Sequence, residues 1–300
     1  MRASLVSMIF IVISASAVSA SETWRTERID EAAMPAGGFQ ERGKPAPAGL
    51  PDGLVATARE GDVAAAWYGE PTRRYRHAIL GDAIEAGALI VQTADGDVLT
   101  LALPASEVFE DRTPRLADLD GDGNLEIITI RASLTKGAAV TVYGLEAGAL
   151  KQRATTDFIG RSNRWLNIAA IADFDGKPGL EIAHVRTPHI GGTLILHAYR
   201  DGALVPVASL NGFSNHAIGS REMRLSAFAD FDGDGRTEIA VPSADRRSLR
   251  IVELEQGRLS EIGAVTLPGR IDKPVLMLGS ANGVQLVTGT EDGSLFRIYR

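Results

Sequence analysis

The chain has 300 residues, 45% of them hydrophobic and 23% charged, with a formal net charge of −7 and no cysteine. That length allows one large domain or two small ones. The acidic balance excludes bulk binding to nucleic acid or to an anionic membrane surface, since both need a basic face. The missing thiols exclude disulfides, thiolate nucleophiles and thiolate zinc sites.

At the N-terminus, Arg2 leads into an apolar run from Leu5 to Val18, which ends in the small residues Ala17, Val18, Ser19 and Ala20. A charged start, a short apolar middle and a small-residue exit form the pattern of a secretory signal. The run is too short for a membrane-spanning helix, which needs ~20 residues. Residues 1–20 are therefore read as a cleaved signal peptide. The mature chain is expected to be exported, periplasmic or secreted, without a membrane span. Residues 21–50 hold two small-residue stretches, Pro35–Gly38 and Gly43–Gly49, and no hydrophobic period. They read as a flexible leader.

The remainder, 51–300, reads as one repeat domain. Leu116–Ile128, Ile171–Ala183 and Phe228–Ala240 align without gaps, with leading aspartates Asp118, Asp173 and Asp230 spaced by 55 and 57 residues. Weaker copies flank them at His77–Asp82 with Ala88–Val91, and at Val275–Gly283 with Gln285–Thr288. Each strong copy shows an apolar run, an acidic turn, a second apolar run, an alternating strand, a Gly-containing turn and a fourth short strand. Short runs bounded by Gly and Asp read as strands and hairpins.

Four strands in each repeat of this length is the pattern of a propeller blade. The expected fold is an all-β propeller of four-stranded blades, five in number with six as the alternative, and a linear solenoid as the competing architecture. The repeats fall at about 76–112, 113–162, 163–219, 220–270 and 271–300, the last completed by 54–75. In this reading the strand Asp62–Tyr68 pairs with the C-terminal repeat and closes the ring.

The acidic turns carry the clearest chemistry. Asp118, Asp120 and Asp122 stand at alternate positions with Gly between, followed by Asn124 at position seven and Glu126 at position nine. Asp230, Asp232, Asp234, Arg236 and Glu238 repeat the spacing, with the main-chain carbonyl of Arg236 at position seven. Calcium wants six to eight oxygens, and alternate carboxylates on a Gly-rich loop can converge to supply them. Ca2+ is the expected ion for both turns. An EF-hand is excluded, because position twelve is Thr129 or Val241 and no helix flanks the loop. The middle turn departs from the pattern with Lys177 at position five and Pro178 at position six. There the Lys177 ammonium is expected to take the cation's place among Asp173, Asp175 and Glu181.

On these residues the chain resembles the FG-GAP and VCBS repeat families, whose calcium loops are similar to those of the integrin α-subunit propeller. The resemblance covers about residues 75–300, and its specific part is the three turns. It implies a propeller, structural calcium, and adhesion or recognition. The chain departs from those families in having Glu where the ninth position more often holds Asp, and in outer repeats that lack the turn.

Motifs of catalysis are missing. The five histidines His77, His184, His189, His197 and His216 show no metal spacing, and no nucleophile elbow, HExxH motif or phosphate loop occurs. Arg164, Arg221 and Arg270 each stand nine residues before the turn of their repeat. With Trp165 they form a candidate anion site for carboxylated or sulfated glycans. Their competing role is local pairing with acids. The leading functional expectation is an exported calcium-binding recognition or adhesion module with a protein or glycan ligand. The alternatives are a propeller enzyme acting on extracellular polysaccharide, as a lyase or glycoside hydrolase, and a structural part of an envelope complex.

Overall fold

The computed structural model describes residues 23–280 and 283–300. The signal segment 1–20 lies outside the described residues. In chain order, β1 (Arg25–Ile29), a 3-10 turn (Glu31–Ala33) and β2 (Lys44–Pro45) precede a series of antiparallel meanders. The first meander is β3 (Leu54–Thr57), β4 (Val63–Thr72), β5 (Glu85–Thr93) and β6 (Val98–Ala102), followed by the short β7 (Glu107–Phe109). The second is β8 (Arg115–Ala117), β9 (Glu126–Ser133), β10 (Gly137–Glu146) and β11 (Ala149–Thr155). The third is β12 (Leu166–Ala172), β13 (Glu181–Arg186), β14 (Thr193–Arg200) and β15 (Ala203–Asn211). The fourth is β16 (Ala227–Ala229), β17 (Glu238–Pro242), β18 (Ser248–Glu255) and β19 (Arg258–Thr266). The last is β20 (Leu276–Ser280), β21 (Gly283–Gly289) and β22 (Leu295–Tyr299), to which β1 adds a fourth strand.

The described chain is thus all-β, in several sheets, none closed into a barrel. Pairing of β7 with both β5 and β9 joins the first two meanders into one ten-stranded sheet that also takes in β2. The other three sheets are separate and four-stranded.

Sequence pattern explains strand rank. The second strands β9, β13 and β17 are almost wholly buried, each a leading glutamate followed by a mainly apolar run. The fourth strands β11, β15 and β19 alternate and are largely exposed, as outer edges should be. Two-residue turns join third to fourth strands at Ala147-Gly148, Asp201-Gly202 and Gln256-Gly257, each with φ near +50° and then between +72° and +76°. Such paired positive angles match the right-handed twist of the hairpin they connect.

Packing lies between successive meanders. Ala66, Leu89 and Val91 of the first meander meet Ile127 and Tyr143 of the second. Ile130 and Val142 of the second meet Leu166 and Ile182 of the third. Leu194 and Leu196 then meet Ile239 and Val252, and Leu249 and Ile251 meet Leu286 and Ile298. The first strands β8 and β12, with the Arg224–Phe228 segment that contains the start of β16, line one shared cavity of about 440 Å3.

Three expectations need correction. The strand that pairs with the C-terminal sheet is β1, with Arg25 opposite Tyr299 and Ile29 opposite Leu295. Residues 62–68 instead enter β4, which pairs with β3 and β5. The leader is not free: within it β1 is a sheet strand, Glu41 pairs with Arg112 at 2.9 Å, and the Phe39 carbonyl accepts Arg224 at 2.8 Å. The upstream weak copy was also misplaced. The first meander turns at Ala58–Asp62, between β3 and β4, whereas His77–Asp82 lies in the connection from β4 to β5.

Candidate functional site

The acidic turns join first to second strands in three successive meanders. In each, a tight loop brings carboxylates together over a buried glutamate that begins the second strand. Oxygens of Asp230, Asp232, Asp234 and Glu238 lie within 4.8 Å of one another, as do those of Asp118, Asp120 and Glu126, and those of Asp173, Asp175 and Glu181. These acidic groups could hold a metal ion.

The glutamate is the anchor. One oxygen of Glu126 accepts the Leu119 amide at 2.9 Å, that of Glu181 the Phe174 amide at 2.9 Å, and that of Glu238 the Phe231 amide at 2.7 Å. The leading aspartate stiffens each loop. Asp118 accepts the amides of Gly121 and Gly123, and Asp230 those of Gly233 and Gly235. All four glycines have φ between +79° and +88°, where a side chain would be strained.

Carboxylates crowd the first and third turns. Burial, with the nearby aspartates adding to it, pushes Glu126 and Glu238 up to about 7. The second oxygen of Glu238, Oε1, is buried without a hydrogen-bond partner. Such an oxygen is costly unless something binds it. A hard cation supplies that partner, so the donor set fits the group.

The predicted ligands are not all gathered. Asp122 stands outside the convergent set; its two oxygens accept the Asn124 backbone amide at 2.7 Å and the Asn124 side-chain amide at 3.1 Å. The Arg236 side chain folds back on Asp234 at 2.7 Å and reaches Glu253 at 2.9 Å, while Arg300 meets Asp232 at 2.9 Å. In the second turn, Lys177 does not enter the centre. Its exposed ammonium pairs with Asp175 alone, at 2.7 Å, and Arg200 joins the same carboxylate at 2.8 Å. The longer Arg200 arm comes from β14, outside the turn, where no local pattern announces it.

Two of the three arginines pair with acids. Arg221 is held by Asp52 and Asp82 at 2.8 and 2.9 Å, and Arg270 lies 3.9 Å from Glu291. Arg164 has no carboxylate partner among the described residues; it donates to the carbonyl of its neighbour Asn163 at 2.9 Å. Trp165 is buried. Its indole N–H donates to the Glu110 carbonyl at 2.9 Å, and its ring packs against His189 and His216.

Around that tryptophan is a second group that no local spacing in the chain announces. His77 Nδ1 and Glu110 Oε1 are joined at 2.6 Å. Glu110 is fully buried, and its other oxygen lacks a partner. Glu85 is buried nearby and is pushed up to about 9, first by burial and then by the Glu110 charge. Buried carboxyls with such shifts cluster at functional sites as well as in structural networks.

No family model matches the chain, and no curated protein matches it. Among solved structures it is similar to rhamnogalacturonan lyase PL11 of Bacillus licheniformis, at 16% identity and a TM-score of 0.44, over 83% of this chain and 59% of that one. It is also similar to the exotype rhamnogalacturonan lyase YesX, at 17% identity and a TM-score of 0.43, over 91% of this chain and 59% of that one. The chain therefore spans about three fifths of the length of both. Likeness at this level carries no argument about residues or chemistry.

Proposed function

We propose that the chain is an exported recognition module: a five-bladed β-propeller, related to FG-GAP and VCBS repeat proteins, stiffened by calcium in its first and third acidic turns. The observation that carries this reading is the third turn, where three aspartates and Glu238 bring one oxygen each within 4.8 Å of one another and Oε1 of Glu238 is buried without a partner. Three or four carboxylates with main-chain carbonyls and water reach the six to eight oxygens that calcium takes. The affinity expected is that of extracellular modules, ~10⁻⁴–10⁻³ M.

The propeller reading is supported by four successive four-stranded meanders and a fifth of three strands completed by β1, by apolar clusters between successive meanders, and by the shared cavity lined from first strands. A meander buries its two faces only against neighbours, so a ring of meanders satisfies every sheet. Export is supported by the N-terminal pattern. Among the described residues no helix is long and apolar enough to cross a membrane.

Calorimetric titration of the metal-stripped protein with calcium tests the reading. Two sites are expected, one lost in Asp120→Asn and the other in Asp232→Asn. No heat of binding at millimolar calcium would reduce the turns to hairpin chemistry and remove the main support for a calcium-stiffened module.

A further inference from the structure

The ends of β12 and β13 remote from the acidic turn carry a half-open pocket of about 290 Å3. Its walls come from three distant segments: His77 and Ile79, Asn163 to Trp165, and Thr187 to Ile190, with Ile218 at the rim. The pocket is held together from behind. Trp165 backs His189 with near-parallel rings and meets His216 edge-on at 4.6 Å, and Asn163 donates to the Tyr75 hydroxyl at 2.9 Å.

Both imidazoles have fixed roles. His216 Nε2 lies 2.9 Å from the Ser220 carbonyl, which can only accept, so the proton sits on Nε2. The neutral His216 ring must then accept at Nδ1, and His189 Nε2–H donates to it at 3.0 Å. That leaves His189 Nδ1 as a lone-pair acceptor. His77 is anchored through Nδ1 to Glu110, which leaves Nε2 for a ligand. Burial holds both His77 and His189 down to about 4, so they are neutral hydrogen-bonding groups at neutral pH. Arg164 is the one permanent cation in the pocket's lining, and its guanidinium has no carboxylate partner among the described residues; Arg246, outside the lining, also acts on His189 and His216.

We infer that this pocket binds a single carboxylated sugar residue, its carboxylate on Arg164, its hydroxyls on the two imidazoles and its ring face on the isoleucines. A guanidinium matches a planar carboxylate with two parallel hydrogen bonds. One cation among neutral rings compensates one negative charge, which favours a sugar acid over a phosphate dianion. The volume sits at the lower end of ligand pockets and suits one ring rather than a long chain. Ile190 and Ile218, both strongly exposed, give the rim an apolar face. The inference rests on the recognition reading and names its ligand, but it uses none of the calcium residues.

The test is ligand titration followed by NMR, with glucuronate as probe and glucose and inorganic phosphate as comparison arms, in calcium and in chelator. Glucuronate is expected to bind in the ~millimolar range usual for so small a ligand. Arg164→Gln is expected to weaken it at least ~tenfold, with Arg164→Lys in between. Ile218→Trp, on the exposed rim, is expected to block glucuronate without disturbing the fold. Absence of glucuronate binding, binding unchanged in Arg164→Gln, or equal binding of phosphate would each overturn the inference. If glucuronate fails while calcium still titrates two sites, only the pocket is wrong. If calcium fails while glucuronate binds, only the turns are.

Discussion

The second and third acidic turns begin alike and end differently. Both place two aspartates and a buried glutamate around one point, and both tie the glutamate to a backbone amide two residues after the first aspartate's predecessor in the loop, Phe174 or Phe231. In the second turn, Lys177 and Arg200 bring two positive charges to Asp175. Pro178 removes the glycine that the other loops use at position six. In the third, a fourth carboxylate joins, Gly235 keeps its φ of +88°, and Glu238 retains an oxygen with nothing to bind. The difference teaches that the glutamate is common framework; two cationic side chains reach each turn, Arg236 and Arg300 in the third, so what sets the third apart is its fourth carboxylate and the unbound oxygen of Glu238.

The comparison breaks most clearly at the glutamates. Glu238→Ala is expected to cost about 2.7 kcal/mol of metal linkage at hundredfold calcium excess, plus about 1–3 kcal/mol for the stranded Phe231 amide. Glu181→Ala should lose only the second of these, and chelator should make the two variants alike. Urea unfolding with and without calcium measures both; equal losses in calcium would deny the third turn its ion.

The next largest effect sharpens the comparison by conversion. Lys177→Asp combined with Pro178→Gly should give the second turn a working set of ligands. Calorimetric stoichiometry would rise from two to three, with about 2.7 kcal/mol more stability at hundredfold excess. A stoichiometry still at two would show that Arg200 alone keeps the ion out.

A pH series separates the turns without mutation. Glu126 and Glu238 titrate in the metal-free fold at about 7, above the ordinary value of 4.5. The folded state therefore holds extra protons between about pH 4.5 and 7, and metal-free stability falls as pH rises through that window. Calcium should abolish the fall, and its affinity should weaken as pH drops below 7. Glu238→Gln should remove the third turn's share of both effects.

The smallest effect concerns how one turn leans on its neighbour. Asp62 accepts the Leu125 amide at 2.8 Å from the preceding meander. Asp62→Ala is expected to cost about 1 kcal/mol and to weaken the first site while leaving the third unchanged.

The acidic turns were legible because alternate side chains on a tight loop converge whatever surrounds them. Asp122 departs from that convergence, with its carboxylate held by Asn124. Strand order within the strong repeats followed from apolar runs and Gly turns. The first meander was misread because its turn, Ala58–Asp62, lacks the acidic ladder that marked the others. β1 gave no signal, since four of its five residues are exposed and its pairing is dictated by the open edge of β22. The pocket at Arg164 draws on residues about a hundred positions apart, and no local spacing records such a meeting.

The strand that completes the last sheet also sets how the molecule yields to force. Arg25 lies opposite Tyr299 in an antiparallel pair, so the two ends of the folded chain leave from the same end of one ladder. Tension applied between them opens the rungs one after another, from Arg25 inward to Ile29, instead of loading all of them at once in shear. The domain would therefore resist pulling through its termini only weakly, however firmly its acidic turns are pinned.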